Sequence, residues 1–279
     1  MGLGIRTTAK RMLRMVHRPP ADPTLTRLVT FRGNTFFVSP KNKVESRLLG
    51  AHYDDAHFDF ISRVVRPGSI CLDVGANVGV YSVVLSRMVG PEGQVHSFEP
   101  VDHIRSRAIR NLRANAARNT TMNACALGAE AGEVEMLQVR EGQFRGGTSS
   151  IHATENMTKM GLDAFEKRTV PIDTIDRYVQ KKALPHLDFI KIDIEGHELS
   201  CLRGAQETLT NMGPMVLFEH SQRRLKHLKI DEADFRDLFE AVAYDAFEIV
   251  SDNFELALRP YDFSGRPLAG RDLLGMKRW

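Results

Sequence analysis

Apolar and polar positions along this chain of 279 residues alternate between two periods. Positions 69–73 read S-I-C-L-D and positions 187–192 read L-D-F-I-K-I. Such short, nearly continuous apolar runs are the signature of parallel strands buried on both faces. Further strands are expected at 95–98, 121–126 and 215–218. Between them apolar residues recur at helical spacing over 80–88, 101–117, 198–209 and 231–243; Leu199, Leu202, Ala205 and Leu209 share one side of the third. An earlier helix is predicted over 58–65 and stopped by Pro67-Gly68. Before it, 28–38 places two β-rich runs around Arg32-Gly33-Asn34, a hairpin pattern. Positions 134–139 predict a strand outside the alternating series, and 247–250 with 254–258 a closing antiparallel pair. Alternation of this kind predicts a doubly wound, mostly parallel sheet with helices on both faces. The segment 141–169 is weakly periodic and rich in Gly, Thr, Ser and Met, and is read as an excursion over the sheet able to act as a lid.

Composition adds limits rather than identity. Hydrophobic residues at 42% and charged residues at 26% describe a globular chain with a sizeable core. A net charge of +3 gives no bulk case for a nucleic-acid partner, and none is expected. Cys71, Cys125 and Cys201 are odd in number and far apart, so they form neither a disulfide framework nor a metal pair. Small buried cysteines of this sort imply a reducing, cytoplasmic setting. Arg6, Lys10, Arg11, Arg14 and Arg18 precede the first acid, Asp22, and are interleaved with apolar residues. The segment lacks the continuous apolar stretch of a secretory signal. It is read as a solvated tail or docked helix, with weak contact to a membrane surface as the alternative. The expected organisation is an N-terminal basic segment, hairpin and helix over 1–65, a ligand-binding domain over 66–260 and a C-terminal tail over 261–279. The oligomeric state is not readable.

The strongest chemical signal is Leu72-Asp73-Val74-Gly75-Ala76-Asn77-Val78-Gly79, a strand that turns into a helix. In an open α/β sheet, ligands bind outside the carboxyl ends of the strands. A dinucleotide site would need G-x-G-x-x-G to seat a pyrophosphate on the helix N-terminus. This loop has G-x-N-x-G, with an acid two residues before its first glycine. That acid repels an anion and welcomes a ligand carrying an ammonium and a sulfonium, such as S-adenosylmethionine. The second signal is Ser97-Phe98-Glu99-Pro100: an acid ending the next strand, 20 residues after Gly79, is placed to accept hydrogen bonds from both ribose hydroxyls of a nucleoside.

With these motifs the sequence resembles the FkbM-type S-adenosylmethionine-dependent methyltransferases. The resemblance runs through 66–82, 90–100, N-L-R-A-N at 111–115, A-L-G at 126–128 and T-I-D-R-Y at 174–178. Its most specific piece is D-F-I-K-I-D-I-E-G-H-E-L-S-C-L-R-G-A at 188–205, followed by L-F-E at 217–219. Ile175 and His197 depart from the commoner Leu and Ala. The resemblance implies a class I methyltransferase (Rossmann-like) fold with a seven-stranded sheet, and O-methylation of hydroxyls on sugars, glycans or polyketide-type molecules.

Methyl transfer from a sulfonium needs an aligned nucleophile and, for a hydroxyl, a proton acceptor. On this reading Asp73, Gly75, Asn77 and Gly79 hold the methionine end of the donor. Glu99 holds the ribose and Ala126 lies against the adenine; Ala76, Tyr81, Ser82 and Pro100 complete the donor site. Candidate bases at the strand ends are Asp193, Glu195, His197, Glu219 and His220, with Asp193 the first choice. Asp193, Glu219 and His220 are also a donor set open to a divalent cation such as Mg²⁺, but the spacing is diagnostic of no metal and none is assigned. A nicotinamide-dependent dehydrogenase and a non-catalytic nucleoside-binding module are the alternatives.

Overall fold

The structure is a computed structural model that describes residues 26–40, 43–50, 53–140, 150–151, 164–252 and 255–278. The basic N-terminal segment, and 141–149 and 152–163 of the expected lid, lie outside the described residues. Within them no helix is long and apolar enough to cross a membrane.

The chain opens with the expected hairpin, β1 (Arg27–Phe31) and β2 (Asn34–Val38), then α1 (Lys43–Arg47) and α2 (Asp55–Val64). Strand β3 (Ile70–Val74), helix α3 (Val80–Val89), strand β4 (Gln94–Phe98), helix α4 (Asp102–Ala114) and strand β5 (Thr120–Asn123) follow. After β6 (Ala126–Leu127), β7 (Gly132–Val139) and β8 (Phe165–Asp173) come α5 (Ile175–Lys182), β9 (Phe189–Ile192), α6 (Glu198–Arg203), α7 (Gln206–Asn211) and β10 (Met215–Glu219). Helices α8 (Gln222–Leu228) and α9 (Glu232–Ala241) lead to β11 (Tyr244–Asp252), β12 (Glu255–Tyr261) and β13 (Asp272–Lys277).

Among the described residues the central sheet has eight strands in the order β12-β11-β13-β10-β9-β3-β4-β5. Pairings from β10 through β5 are parallel; those of β13 with β10 and β11, and of β11 with β12, are antiparallel. The fold is a Rossmann-like α/β sheet, as expected, but the sheet is mixed and eight-stranded rather than seven-stranded. Successive strand residues alternate between two cores, as the period of two requires. Leu72, Ile190, Val216 and Phe218 pack under α5, α6 and α9, whereas Cys71, Val95, Phe189 and Leu217 pack under α2 and α3.

Four expectations are corrected. The strand read over 121–126 breaks after Asn123, whose amide donates to the Ser97 carbonyl (3.0 Å) and the Tyr178 hydroxyl (3.1 Å). Ala126 then joins a separate sheet of order β6-β8-β7. The helix read over 198–209 is two helices, because the Gly204 carbonyl is diverted to accept from the Asp176 amide (3.0 Å) and the Asp176 carboxylate caps the amides of Glu207 and Thr208 afresh. Strand β8 was hidden in the presumed excursion: Glu166 to Thr169 offer no buried residue to mark it. The segment read as a C-terminal tail contains β13, inserted between β10 and β11, with Leu273 and Leu274 fully buried.

The N-terminal hairpin is tied to the ligand end of the sheet. Asn115 pairs with both backbone groups of Thr35 (2.8 and 2.7 Å), and Asn111 accepts from the Phe37 amide (2.8 Å) while donating to the Val78 carbonyl (2.8 Å). These side chains act as a surrogate strand on the hairpin edge. Phe31 meets Phe58 edge-on at 5.5 Å, and Phe58 stacks on Tyr81 at 4.5 Å, so α2 is clamped beside the glycine turn.

Candidate functional site

The carboxyl ends of β3, β4, β9 and β10 open into one cavity of about 1400 Å³, counting the solvent at its mouth. The turn after β3 forms its floor. Gly75 has φ +78°, and a Cβ there would lie 2.0 Å from the Asp193 carbonyl oxygen. The glycine is therefore required by the neighbouring strand end before any ligand is considered. Gly79 (φ +82°) admits the close passage of Ala108 on α4. The Gly75 and Ala76 amides donate to the Phe98 carbonyl (3.1 and 2.9 Å), and the Gly79 amide donates to the Ala76 carbonyl (2.8 Å). The Asn77 amide donates to Glu99 Oε2 (3.0 Å). The amides of Gly75, Ala76, Asn77 and Gly79 are thus spent on the protein itself.

Glu99 projects from the end of β4 and also accepts from the Val101 amide (2.9 Å). Burial pushes its carboxyl up to about 7, against the pull of those backbone donors. Beyond it the wall is apolar: Pro100, Ile104, Ala126, Leu127 and Met136, with Cys125. Towards β9 and β10 the wall is charged. Lys191 Nζ lies 3.4 Å from Asp193 Oδ2, 3.9 Å from Asp73 Oδ1 and 4.9 Å from the centre of the Tyr81 ring. Arg224 bridges Glu195 and Glu219, and Arg271 stands 3.3 Å from Glu219 Oε1. Burial, with Asp193 beside it, pushes Glu219 up to about 9; burial carries Glu195 to about 7. Asp193 is lowered: burial opposes its ionisation, and Lys191 and Arg224 overcome it. On the α2 side the Tyr81 hydroxyl reaches Asp54 Oδ2 (3.2 Å) and His57 Nδ1 (3.3 Å).

The structure brings Gly75, Ala76, Asn77, Tyr81, Glu99, Pro100, Ala126, Asp193, Glu195 and Glu219 together on this cavity. It places Asp73, Gly79, Ser82 and His220 behind its wall. Asp73 turns into the sheet, where Oδ2 accepts from Ser82 Oγ at 2.5 Å and Ser97 Oγ donates on to Ser82 at 2.8 Å. His220 is buried among Phe218, Phe235, Tyr261 and Phe263, with Nε2 3.4 Å from Glu232. Burial lowers its pKa, and it is closed off from the cavity. Among the described residues no group of three or more His, Cys, Asp or Glu has the arrangement of a metal site.

Tyr53, Asp54, His57, Lys191, Arg271 and Asp272 also line the cavity. Only Lys191 had a signal in the sequence, as the one basic residue inside an otherwise largely apolar strand. The others come from α2, the turn before it, and β13 with the residue before it, brought in by tertiary packing.

Residues 73–246 match the family described as "Methyltransferase FkbM domain". The 31-O-demethyl-FK506 methyltransferase FkbM of Streptomyces tacrolimicus is 25% identical over 165 residues, covering 51% of this chain and 62% of that protein. The match thus spans less than two thirds of that relative's length. Methyltransferase sdnD of Sordaria araneosa is 23% identical over 247 residues, covering 80% of this chain and 89% of that protein. Among solved structures, methyltransferase FkbM from Methylobacillus flagellatus KT is 18% identical with a TM-score of 0.44, covering 78% of this chain and 52% of that one. The family match takes in the glycine turn, Glu99 and the acidic ends of β9 and β10 together, and the chain belongs to the FkbM methyltransferase domain family.

Proposed function

We propose that the chain is an S-adenosylmethionine-dependent O-methyltransferase acting on a hydroxyl of a sugar, glycan or polyketide-type small molecule. The observation that carries this reading is the polarity of the cavity. It is apolar beyond Glu99, where a purine can lie, and charged beyond Gly75, where an amino acid can lie. Glu99 between them suits a ribose diol. The donor fits the residues present: Ala126, Leu127, Pro100 and Ile104 take the adenine, and Asp193 with the turn at Gly75, Ala76 and Asn77 takes the methionine ammonium.

The same geometry disfavours a nicotinamide dinucleotide. A pyrophosphate needs free amides at a helix N-terminus, and here those of Gly75, Ala76 and Asn77 are already donated to Phe98 and Glu99. Asp193, beside the turn, would repel its phosphates. When bound, the donor supplies an activated methyl group. The chain's own work is to exclude water, to orient the acceptor and to hold the charged groups around the reacting centre. Calorimetric titration with S-adenosylmethionine and with NAD tests the reading. Saturable one-to-one binding of the first and not the second supports it, and the reverse overturns it. Donor binding with no S-adenosylhomocysteine formed over a panel of polyol acceptors would favour the non-catalytic module.

A further inference from the structure

The acids at the ends of β9 and β10 are each engaged by a basic side chain. Asp193 is held by Lys191, Glu195 by Arg224, and Glu219 by both Arg224 and Arg271. Asp272, the first residue of β13, stands in register beside Glu219 and lines the same cavity. A histidine stands beside it: Oδ2 lies 3.6 Å from His57 Nε2. On its other side His57 Nδ1 stands 3.3 Å from the Tyr81 hydroxyl, which itself donates to Asp54 Oδ2 (3.2 Å), so the ring is fixed between Tyr81 and Asp272. The carboxylate is thereby oriented by a ring that is itself oriented from behind, the arrangement that positions a general base.

We propose that Asp272, positioned by His57, accepts the proton of the acceptor hydroxyl, and that the acceptor binds on the face of the cavity built by α2 and β13. This rests on the methyltransferase reading. The step balances: the acceptor oxygen forms a bond to the methyl carbon, the carbon–sulfur bond breaks with its electron pair left on sulfur, and the hydroxyl proton passes to an Asp272 oxygen. Sulfonium and carboxylate become thioether and carboxylic acid. Asp272 and His57 both lie outside the matched residues 73–246. The donor half of the site therefore belongs to the family core, and the proton-accepting half to this chain's own flanks. The charged groups facing Asp272 are His57 from α2, Asp54 before it, Lys191 on β9, Asp193 after it, Glu219 beside it on β10, and the neighbouring Arg271. Burial, Asp193 and Asp54 push it up to about 6, and His57 and Arg271 oppose them. At neutral pH such a group is ionised yet retains useful basicity.

Two measurements on the full chain test this. S-adenosylhomocysteine release is followed with S-adenosylmethionine and a panel of methyl glycosides as acceptors. Asp272→Asn is expected to lower kcat by about 100-fold or more with donor affinity within about threefold, and to abolish an acid limb near pH 6 in the wild type. His57→Gln is expected to lower kcat less and to shift that limb upward. Wild-type turnover or an unmoved limb in Asp272→Asn overturns the proposal. The second measurement needs no acceptor: carbon NMR of protein labelled at the aspartate carboxyl carbons. The resonance missing in Asp272→Asn should titrate near pH 6 in the wild type and move up by about half a unit or more in His57→Gln. A midpoint below about 5, or one indifferent to His57→Gln, overturns the pairing even if no glycoside is methylated. Loss of donor binding by the wild type would instead overturn the proposed function, so the two failures are distinct.

Discussion

At the scale of single residues, the site depends on atoms that are committed to one another before any ligand arrives. Gly75 is the sharpest case. A methyl group there would meet both a left-handed backbone and the Asp193 carbonyl. Gly75→Ala is therefore expected to lower stability by about 1–3 kcal/mol from the backbone conformation alone, and more from the clash. Urea unfolding checks this; an unchanged midpoint would mean that the turn relaxes freely. Donor binding by this variant reports on folding as much as on contact. Glu99 was legible in the sequence from its place at a strand end, 20 residues after Gly79. Asp73 was legible as an acid but not as to its direction: only the structure shows it turned towards Ser82. His220 looked like a strand-end base, and nothing in a linear sequence announces the aromatic ring wall closing around it.

At the scale of elements, the parallel strands were readable because strands buried on both faces must be apolar throughout. Strands β8 and β13 escaped for the opposite reason. β8 shows four consecutive residues from Glu166 to Thr169 with no buried position, and β13 follows a stretch rich in Gly, Pro and Arg that resembles a tail. Asp272 was lost with it. The N-terminal hairpin was legible, but its attachment was not. That attachment runs through Asn111, a buried amide that serves the hairpin and the glycine turn at once. Asn111→Ala strands the Phe37 amide and the Val78 carbonyl. It should cost about 2–3 kcal/mol and loosen α2, which the hairpin clamps. Hydrogen exchange should then rise at Phe37 and Phe58 while β9 stays protected. Uniform exchange across the molecule would contradict a local clamp.

At the scale of the whole molecule, carboxyls crowd the end of the sheet where the ligand is proposed to lie. Glu219 is pushed up to about 9 by burial and by Asp193. The unfolded chain releases that proton near the ordinary glutamate value, so the native state holds one more proton between there and about 9. Its stabilising contribution is complete below the unfolded value and is lost as pH rises through the folded one. The expected outcome is a melting temperature that falls between pH 7 and pH 9 and levels off above, equivalent to on the order of 1–2 kcal/mol. Glu219→Gln should flatten the slope. A wild-type curve flat over this window would show that Glu219 is already ionised, steadied by Arg224 and Arg271.

The central claim is that the cavity over β3 and β4 binds S-adenosylmethionine through Glu99. Calorimetric titration of the wild type and of Glu99→Ala measures it directly. The account predicts one-to-one binding by the wild type. In Glu99→Ala affinity should fall at least about tenfold, as the loss of ribose hydrogen bonds to a charged acceptor requires, with the melting curve showing a folded protein. No heat from the wild type, or equal affinity in a folded Glu99→Ala, would contradict it.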